Sequence, residues 1–246
     1  MSQRRFPKSD YSGVRELADA ELGLNRYYGH IVEKITSNKQ TMEIFKNQTK
    51  ILEFGAGTGF LAELMKAKTS YQVDCVEIDP YLISSISSKN LICYQSLSEL
   101  RNKYDFIYSS NVLEHIENDV QSLRELREVL QPNGILALYL PAFNILFSDL
   151  DRAVGHYRRY SRKEIISKLT KTGYEVIDIS YVDSLGFPAS LLIRIIGYQN
   201  KADIGGLRSM RLYDSVIFPI SVFLDKLGLS RFIGKNLVVH CRIAEE

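Results

Sequence analysis

The alternation of apolar and polar residues divides the chain into a helical beginning and a long region of alternating strands and helices. Over residues 13–47, leucine, isoleucine and valine recur every three to four positions, which predicts helix. From residue 50 onward, nearly continuous apolar runs predict seven strands, at 50–54, 73–78, 91–94, 104–110, 135–140, 175–182 and 236–244. Amphipathic stretches between them predict helices, at 60–68, 81–88, 119–130 and 162–172.

Turn and cap signals mark the ends of two of these elements. Pro132-Asn133-Gly134 predicts a turn before the 135–140 strand. Ser161 is predicted to cap the 162–172 helix, with Glu164 in the capping-box position and Gly173 at the exit.

Strands that alternate with helices need crossover connections, so the sequence predicts an α/β fold with a doubly wound, mainly parallel seven-stranded sheet. Ligands of such sheets bind outside the carboxyl ends of the strands. We therefore expect functional residues just after positions 54, 77, 110 and 140. An irregular stretch rich in Asp, Arg, Tyr and His follows the last of these positions, at 141–161, and an insertion at 184–234 separates the final two strands.

Composition limits the class of protein. The 246 residues contain no Pro/Gly/Ser-rich linker and no repeat, which predicts a single domain. The net charge of +2 argues against a nucleic-acid partner. Cys75, Cys93 and Cys241 lie in apolar runs without metal-ligand spacing, which predicts buried thiols and neither a disulfide framework nor a metal site. Residues 1–8 lack the apolar core of a signal peptide, and no apolar run reaches about 18 residues, so a cytoplasmic location is expected.

The strand and loop over residues 51–59 carry the strongest chemical signal. Three alternating glycines follow the strand and precede a helix: Gly55, Gly57 and Gly59. Residues without Cβ let a ligand approach the backbone, and the start of a helix offers unpaired N–H groups. A dinucleotide site would need a further glycine at position 60, which is Phe60. Glu53, just before the loop, suits a cationic amino acid group better than a pyrophosphate.

An acidic residue ends the next strand. Glu77 lies about twenty residues past the glycine loop, where a carboxylate can accept hydrogen bonds from both hydroxyls of a ribose. Together with the loop, this spacing favours a nucleoside-containing ligand. Asp79 precedes Pro80 and could instead cap the following helix.

After the 104–110 strand the chain reads Asn111-Val112-Leu113-Glu114-His115-Ile116. With the glycine loop and Glu77, this segment resembles the class I S-adenosylmethionine-dependent methyltransferases in order and spacing. The similarity is greatest to a bacterial subgroup that carries the NVLEHI segment and, after the fifth strand, a segment like GHYRRY at 155–160. An Arg-Tyr pair like Arg26-Tyr27 and an Arg-Leu-Tyr-Asp segment like 211–214 also belong to the subgroup. The resemblance spans residues 20–244.

The resemblance implies a single Rossmann-like methyltransferase domain over 1–246, with S-adenosylmethionine as cofactor and S-adenosylhomocysteine as product. Its parts would be an N-terminal helical cap at 1–48, a cofactor-binding core at 49–183, the apolar helical insertion at 184–234 and the last strand at 235–246. The cofactor-binding residues implied are Tyr27, Glu53, Gly55, Gly57, Gly59, Glu77, Ile78, Ser96, Leu97, Ser109 and Asn111.

In that resemblance, Glu53 and the glycines would hold the methionine part of the cofactor, and Glu77 the ribose. Ser96 and Leu97 would flank the adenine. The backbone of Ser109 and the Asn111 side chain would complete the pocket, over which Tyr27 would close.

The chain departs from the subgroup in two places. The subgroup often has an Asp after strand three, where this chain has Tyr94-Gln95-Ser96-Leu97, so adenine recognition would rest on Ser96, Gln95 or the backbone. The last strand of the subgroup often opens with Gly-x-Ser, where this chain has Lys235-Asn236.

Methyl transfer is an in-line displacement at a carbon activated by the sulfonium, so the protein mainly aligns the nucleophile and excludes water. For an oxygen acceptor, which we expect, a general base adds roughly 10²–10⁴-fold. His115 and His156 are the candidate catalytic residues, because imidazole titrates near neutral pH. Alternatively, His115 could shape the cofactor pocket and His156 could pack within the irregular segment.

Arginine forks suit carboxylates and phosphates, which an acceptor could carry. The candidate substrate-binding residues are Arg152, Tyr157, Arg158 and Arg159. The alternative is that one arginine pairs with Asp149 or Asp151 and the others face water.

Two stretches of the insertion, 185–198 and 214–229, are unusually apolar, although each is too short to span a bilayer. Lys201, Arg208 and Arg211 lie between them. Three interpretations stay open: a cap over the sheet edge, a face buried against a partner or in a homodimer, and a peripheral membrane contact that receives a lipid-linked substrate.

The predicted function is S-adenosylmethionine-dependent methyl transfer onto oxygen of a small-molecule, sugar or lipid-linked (glycan) acceptor. A non-catalytic S-adenosylmethionine-binding partner or regulatory protein would be expected to lack some of the glycine or acidic positions. An NAD-dependent oxidoreductase would have glycine at position 60. A nucleic-acid methyltransferase would have an Asn/Asp-Pro-Pro-Tyr-like motif after the middle strand.

Overall fold

The computed structural model describes residues 14–46, 48–196 and 206–245. Some sequence predictions concern positions outside these residues. They are the absence of a signal peptide from the first eight residues, the ends of the predicted helical stretches at Gly13, Asn47, Gly197 and Tyr198, and the placement of Lys201.

A seven-stranded sheet forms the centre of the molecule, as predicted. Its strands are β1 (Ile51–Phe54), β2 (Val73–Val76), β3 (Ile92–Tyr94), β4 (Tyr104–Ser110), β5 (Leu130–Pro141), β6 (Tyr174–Val182) and β7 (Asn236–Ile243). They lie in the order β3-β2-β1-β4-β5-β7-β6. The first five strands pair in parallel, and β7 runs antiparallel to both of its neighbours. The fold is therefore the doubly wound, Rossmann-like architecture, in which the strand order reverses between β1 and β4.

Helices cover the sheet, and the insertion adds more of them between β6 and β7. The helices are α1 (Val14–Gly23), α2 (Asn25–Thr36), α3 (Lys39–Ile44), α4 (Phe60–Thr69), α5 (Pro80–Ser88), α6 (Asp119–Val129), α7 (Asp149–Ala153), α8 (Arg162–Lys171), α9 (Gly186–Ile196), α10 (Leu207–Leu212) and α11 (Phe218–Lys226). A π-helical turn, Tyr213–Ile217, joins α10 to α11. Within the described part of the chain, no helix is both long enough and apolar enough to cross a bilayer.

The structure refines several predicted boundaries. The helical stretch over 13–47 divides into three helices, the third of which Asn38 caps by accepting a hydrogen bond from the Gln40 amide. The predicted turn Pro132-Asn133-Gly134 was wrong as the start of a strand, because it lies within β5. The pairing of β5 with β4 skips residues 131–134. The cap of α8 is confirmed, since the Ser161 hydroxyl accepts from the Glu164 amide at 3.2 Å. Helix α10 was not predicted.

Apolar residues from both faces of the sheet form two cores. Successive residues of a strand point to opposite faces, and Ile51 accordingly packs in one core and Leu52 in the other. The first core lies under α2 and α4, and the second under α6 and α8. Because both faces are buried, the strands have the nearly continuous apolar sequence that predicted them.

Asp214, in the π-helical turn of the insertion, caps a helix at the other end of the sequence. Its carboxylate accepts hydrogen bonds from the backbone amides of Arg26 and Tyr27, at 3.0 and 2.8 Å, in the first turn of α2. The Arg26-Tyr27 pair and the Arg-Leu-Tyr-Asp segment therefore meet in space. This contact joins the N-terminal helices to the insertion.

Candidate functional site

The glycine loop, residues 55–59, connects β1 to α4. All three of its glycines adopt left-handed backbone conformations, with φ of +76°, +56° and +80°. A Cβ on Gly55 would lie 2.4 Å from Val112 Cγ2 of the segment after β4, so no larger residue fits there. The loop thus leaves its backbone accessible at the switch point of the sheet, where ligands of this fold bind.

Glu77 follows β2 and faces the glycine loop. One carboxylate oxygen accepts from the Gly57 amide at 2.8 Å, and the other from the amides of Ile78 and Asp79 at 2.8 and 3.0 Å. Burial raises the pKa of Glu77, although these three donors act in the opposite direction. The backbone therefore orients this carboxylate, which keeps acceptor capacity for hydroxyl groups of a ligand.

Two residues beside Glu77 behave differently from each other. The Ile78 side chain is largely exposed, as an apolar surface against which an adenine could pack. Asp79 caps α5 by accepting from the amides of Tyr81 and Leu82, at 2.8 and 3.2 Å. This confirms the interpretation of Asp79 as a helix cap.

Glu53 is a buried acid at the end of β1. The Tyr108 hydroxyl of β4 donates a hydrogen bond to it at 3.0 Å. Burial raises the pKa of Glu53 well above its usual range. A cationic ligand group near the loop would favour the charged form and lower that pKa again.

Helix α1 lies over the glycine loop. The Thr58 hydroxyl donates to Glu21 at 2.5 Å, and the Leu17 side chain lies 3.2 Å from the position of a Cβ on Gly57. Sequence analysis missed Glu21, since α1 carries no motif and its place over the loop depends on packing. The N-terminal helices are therefore part of the site.

The remaining predicted cofactor residues line the ends of β3 and β4. Ser109 is buried, and its hydroxyl donates to the Phe54 carbonyl at 2.9 Å. Asn111 has a left-handed φ of +53°, and its backbone amide donates to the Tyr139 carbonyl at 2.9 Å. Ser96 precedes a turn that begins at the buried Leu97, and its hydroxyl lies 2.8 Å from that of Ser98.

Tyr27 lies deeper than predicted. Its buried hydroxyl accepts hydrogen bonds from the Tyr139 hydroxyl and the Asn236 amide group, at 3.1 and 2.8 Å. Tyr27 therefore ties α2 to the ends of β5 and β7. Its closure over a pocket stays a prediction.

The two predicted catalytic histidines lie together. The rings of His115 and His156 meet edge to face, with centroids 4.5 Å apart. Burial lowers the pKa of His115 to about 4, so this imidazole is neutral at physiological pH. His156 Nδ1 lies 2.9 Å from Asp151 Oδ1, which leaves Nε2 as the atom available to accept a proton.

Glu114, beside the histidines, is fully buried, and neither carboxylate oxygen has a hydrogen-bond partner among the described residues. Burial raises the pKa of Glu114 to about 8. Its Oε1 lies 3.9 Å from His156 Nε2. Ligand-type atoms of Glu114, His115 and His156 all lie within 4.8 Å of one another, a grouping that could also hold a metal ion and that was not predicted.

The predicted arginines do not form one cluster, since each pairs with a different acid. Arg152 pairs with Asp149 at the surface, at 2.8 Å. Arg158 pairs with Asp119 at 2.8 Å. The alternative interpretation, in which only one arginine pairs with an acid and the others face water, was therefore wrong for Arg158.

Arg159 is buried, and its guanidinium forms a two-point contact with Asp151. Nε and Nη2 donate to the two carboxylate oxygens at 2.9 and 3.1 Å. Its remaining nitrogen, Nη1, is buried without a partner among the described residues. Asp151 thus orients both His156 and Arg159. Tyr157, the fourth predicted substrate-binding residue, is exposed.

Lys235 is a candidate site residue that sequence analysis did not assign. The backbone places it beside the segment after β5, since the Ala142 amide donates to the Lys235 carbonyl at 2.9 Å and the Tyr160 amide to the Pro141 carbonyl at 2.8 Å. Its ammonium lies over the Tyr27 ring, 5.6 Å from the centroid, and makes no ion pair within the described residues. The sequence feature that could have indicated Lys235 is Lys235-Asn236, which stands where the methyltransferase subgroup often has Gly-x-Ser.

Comparison with known proteins identifies the fold and the family. A family model described as a methyltransferase domain matches residues 24–179. The chain is 28% identical over 164 residues to the non-reducing polyketide synthase ausA of Penicillium brasilianum; the match covers 60% of this chain but only 6% of that protein.

Two solved structures share the fold. The putative sarcosine dimethylglycine methyltransferase of Galdieria sulphuraria aligns with a TM-score of 0.57 and 20% identity, over 88% of this chain and 85% of that one. The magnesium protoporphyrin IX methyltransferase of Synechocystis PCC 6803, solved with S-adenosylhomocysteine bound, aligns with a TM-score of 0.50 and 17% identity, over 66% and 78% of the two chains.

Proposed function

Because the chain belongs to the methyltransferase domain family, whose cofactor is S-adenosylmethionine, we propose that it methylates a hydroxyl oxygen of a small-molecule, sugar or lipid-linked acceptor that carries a carboxylate or phosphate. The observation that carries this proposal is Asp151, which holds a histidine and an arginine at the same time. One partner supplies a base for a hydroxyl, and the other a donor for an anion.

The glycine loop and Glu77 supply the cofactor part of the proposal. Glu77 would accept hydrogen bonds from the ribose hydroxyls, and the exposed Ile78 would pack against the adenine. Glu53 and the loop would hold the methionine end. The segments after β4 and β5 would then lie on the methyl side of the cofactor, at the switch point of the sheet.

His156 is the general base in this proposal. S-adenosylmethionine would supply the methyl group, which the acceptor oxygen would take as the C–S bond breaks and S-adenosylhomocysteine leaves, and His156 Nε2 would accept the hydroxyl proton. Asp151 orients the ring and stabilises the imidazolium that forms. His115, whose pKa burial lowers to about 4, packs edge to face against His156.

Arg159 and Lys235 support an anionic acceptor. Arg159 Nη1 is a buried donor without a partner among the described residues, which costs free energy unless a ligand pairs with it. Burial lowers the pKa of Lys235, and a bound anion would favour its charged form. The backbone places Lys235 beside Ala142, and Tyr160, which follows Arg159, beside Pro141.

Calorimetry followed by an acceptor screen tests the proposal. We expect S-adenosylhomocysteine to bind at one site per chain. We then expect labelled methyl transfer from S-adenosylmethionine to hydroxyl compounds that carry a carboxylate or phosphate, in preference to their neutral methyl esters. Absence of cofactor binding, or methylation of amines alone, would contradict the proposal.

The same screen distinguishes two uses of the Glu114, His115 and His156 grouping. If the grouping only handles protons, dialysis against a chelator leaves the rate unchanged. A loss of activity that a divalent cation restores would show that the grouping holds a metal, and would contradict the role of His156 as a free base.

A further inference from the structure

Helix α11 and the turn before it have an unusual distribution of apolar and polar residues. The positions that face the protein are Asp214, Phe218, Ser221 and Asp225, none of which is more than 7% exposed. Two residues further on, at the same spacing, lie Val216, Ile220, Phe223 and Leu227, each at least 50% exposed. At 3.6 residues per turn, the two rows lie about 200° apart, on opposite sides of the helix.

This arrangement is the reverse of a surface helix in a water-soluble protein, whose apolar row faces the core. Here the outer row is entirely apolar, and three of the four inner residues are polar. Burial of the inner row therefore leaves the most apolar side of the helix uncovered.

The polar inner row fixes the orientation of the helix. The Asp225 carboxylate accepts from the backbone amide of Asp183 at 2.8 Å, and the Ser221 hydroxyl donates to the Asp183 carboxylate at 2.9 Å. The Tyr213 hydroxyl also donates to Asp183, at 2.6 Å. Rotation of α11 to bury its apolar row would break these buried hydrogen bonds, so the exposed row is held outward.

Other apolar residues of the insertion are exposed as well. Ten of the eighteen large apolar residues that are exposed in the described parts of the chain lie between 184 and 234. We define the apolar face by these ten: Leu192, Ile195, Leu212, Val216, Ile217, Ile220, Phe223, Leu227, Leu229 and Phe232. Clustered exposure of this kind marks an interaction surface.

The charges around the apolar face have one sign. Within the described residues of the insertion, every exposed charged side chain is cationic: Arg194, Arg208, Arg211, Lys226 and Arg231. The described carboxylates, Asp214 and Asp225, are both buried and hydrogen-bonded. A second copy would bring a further set of like charges against these five, which disfavours self-association. An anionic bilayer instead complements both the charge and the apolar side chains.

We propose that the apolar face docks on the surface of an anionic lipid bilayer, with its side chains in the headgroup–acyl boundary and the five cations among the headgroups. This docking does not depend on the identity of the methyl acceptor. It does adjoin the acceptor side of the site, because Arg194 of α9 donates to the Ile145 carbonyl and Phe187 packs on Phe143, with centroids 5.1 Å apart. A lipid-linked acceptor could therefore reach the site from the bilayer.

Co-sedimentation of the full chain with vesicles tests this proposal. We expect pelleting with vesicles of equal parts phosphatidylcholine and phosphatidylglycerol, and at least ~10-fold weaker binding to phosphatidylcholine alone, since each cation near an anionic surface contributes about fivefold. Raised salt should weaken binding to the mixed vesicles. Absence of pelleting with the mixed vesicles would overturn the proposal.

Paired variants locate the contact. Phe223→Ser with Phe232→Ser, and separately Lys226→Glu with Arg231→Glu, should each reduce vesicle binding at least ~10-fold. Met42→Ser removes an apolar side chain of α3 that is 50% exposed, and should leave binding unchanged. Calorimetry with S-adenosylhomocysteine checks that each variant is folded, and its outcome is separate from vesicle binding. Vesicle binding that is unchanged in both double variants would overturn the proposal. So would a wild-type protein that does not bind vesicles but forms a dimer, if Phe223→Ser dissociates that dimer.

Discussion

The cofactor side and the acceptor side of the site hold their acids in different ways. Glu77, on the cofactor side, accepts three hydrogen bonds, all from backbone amides within or near its own loop. Asp151, on the acceptor side, accepts from the side chains of His156 and Arg159, as well as from Ser148. The Glu77 carboxylate is therefore positioned by backbone amides, whereas the Asp151 carboxylate is positioned mainly by side chains, together with the backbone amide of Ser148.

Because of this difference, we expect the two sides of the site to tolerate different substitutions. The cofactor side depends on conformations that only glycine adopts readily, so a single methyl group should abolish its function. The acceptor side depends on side-chain pairs, which substitution can change without disturbing the loop. We therefore expect the two sides to fail independently of each other.

Gly55→Ala should have the largest effect on the cofactor side. The added Cβ would lie 2.4 Å from Val112 Cγ2 at a φ of +76°, so we expect affinity for S-adenosylhomocysteine to fall at least ~100-fold. Calorimetry measures the loss, and thermal unfolding shows whether the variant folds. Gly29→Ala is the control, because nothing lies within 4 Å of that Cβ in α2. Retained affinity in Gly55→Ala would remove the steric basis of the comparison.

His156→Gln should have the largest effect on the acceptor side. Loss of the base should lower kcat about 10²–10⁴-fold for the best oxygen acceptor in the screen, while cofactor affinity stays within about twofold of wild type. An unchanged kcat would assign the proton transfer to another group.

Lys235→Met should have a smaller effect, confined to anionic acceptors. Loss of a charged donor costs about 1.5–3 kcal/mol, so KM should rise roughly 10–100-fold for acceptors with a carboxylate or phosphate. Their neutral esters should show little change. Lys103→Met is the control, because that lysine is exposed away from the site. Equal changes for charged and neutral acceptors would indicate a structural role for Lys235.

Glu114→Gln should change the pH dependence of stability, with no direct effect on either side of the site. Burial raises the pKa of Glu114 from 4.5 to about 8, so the stability it contributes is complete below pH 4.5 and is lost as the pH rises toward 8. The wild type should lose up to about 1.4 kcal/mol per pH unit more than the variant over that window. Urea unfolding at pH 5, 6, 7 and 8 measures this slope. Parallel slopes would mean that Glu114 is charged in the native protein.

Sequence predicted the cofactor side better than the acceptor side, for the same physical reason. The glycine spacing and the acid after β2 are local patterns, because each lies in a short segment at the end of one strand, although a hydrogen bond from Gly57 to Glu77 joins the two segments. The pairing of Arg158 with Asp119, or of Asp214 with the start of α2, joins residues far apart in sequence. No local sequence pattern indicates such pairs. The arginines could therefore be predicted as site residues, but their acidic partners could not.

The insertion shows the same limit. Its apolar sequence predicted helices, but not that a polar row would face the protein and an apolar row face outward. That orientation depends on Asp183, which lies at the end of β6 and outside the insertion itself. Apolar periodicity locates a helix, whereas the buried hydrogen bonds decide which side of it is covered.

Titration calorimetry of S-adenosylhomocysteine into the wild type, Gly55→Ala and His156→Gln tests the separation of the two sides most directly. We predict one binding site per chain with equal affinity in the wild type and His156→Gln, and no detectable binding in folded Gly55→Ala. Absence of binding to the wild type would contradict the cofactor assignment. Loss of binding in His156→Gln as large as that in Gly55→Ala would contradict the independence of the two sides.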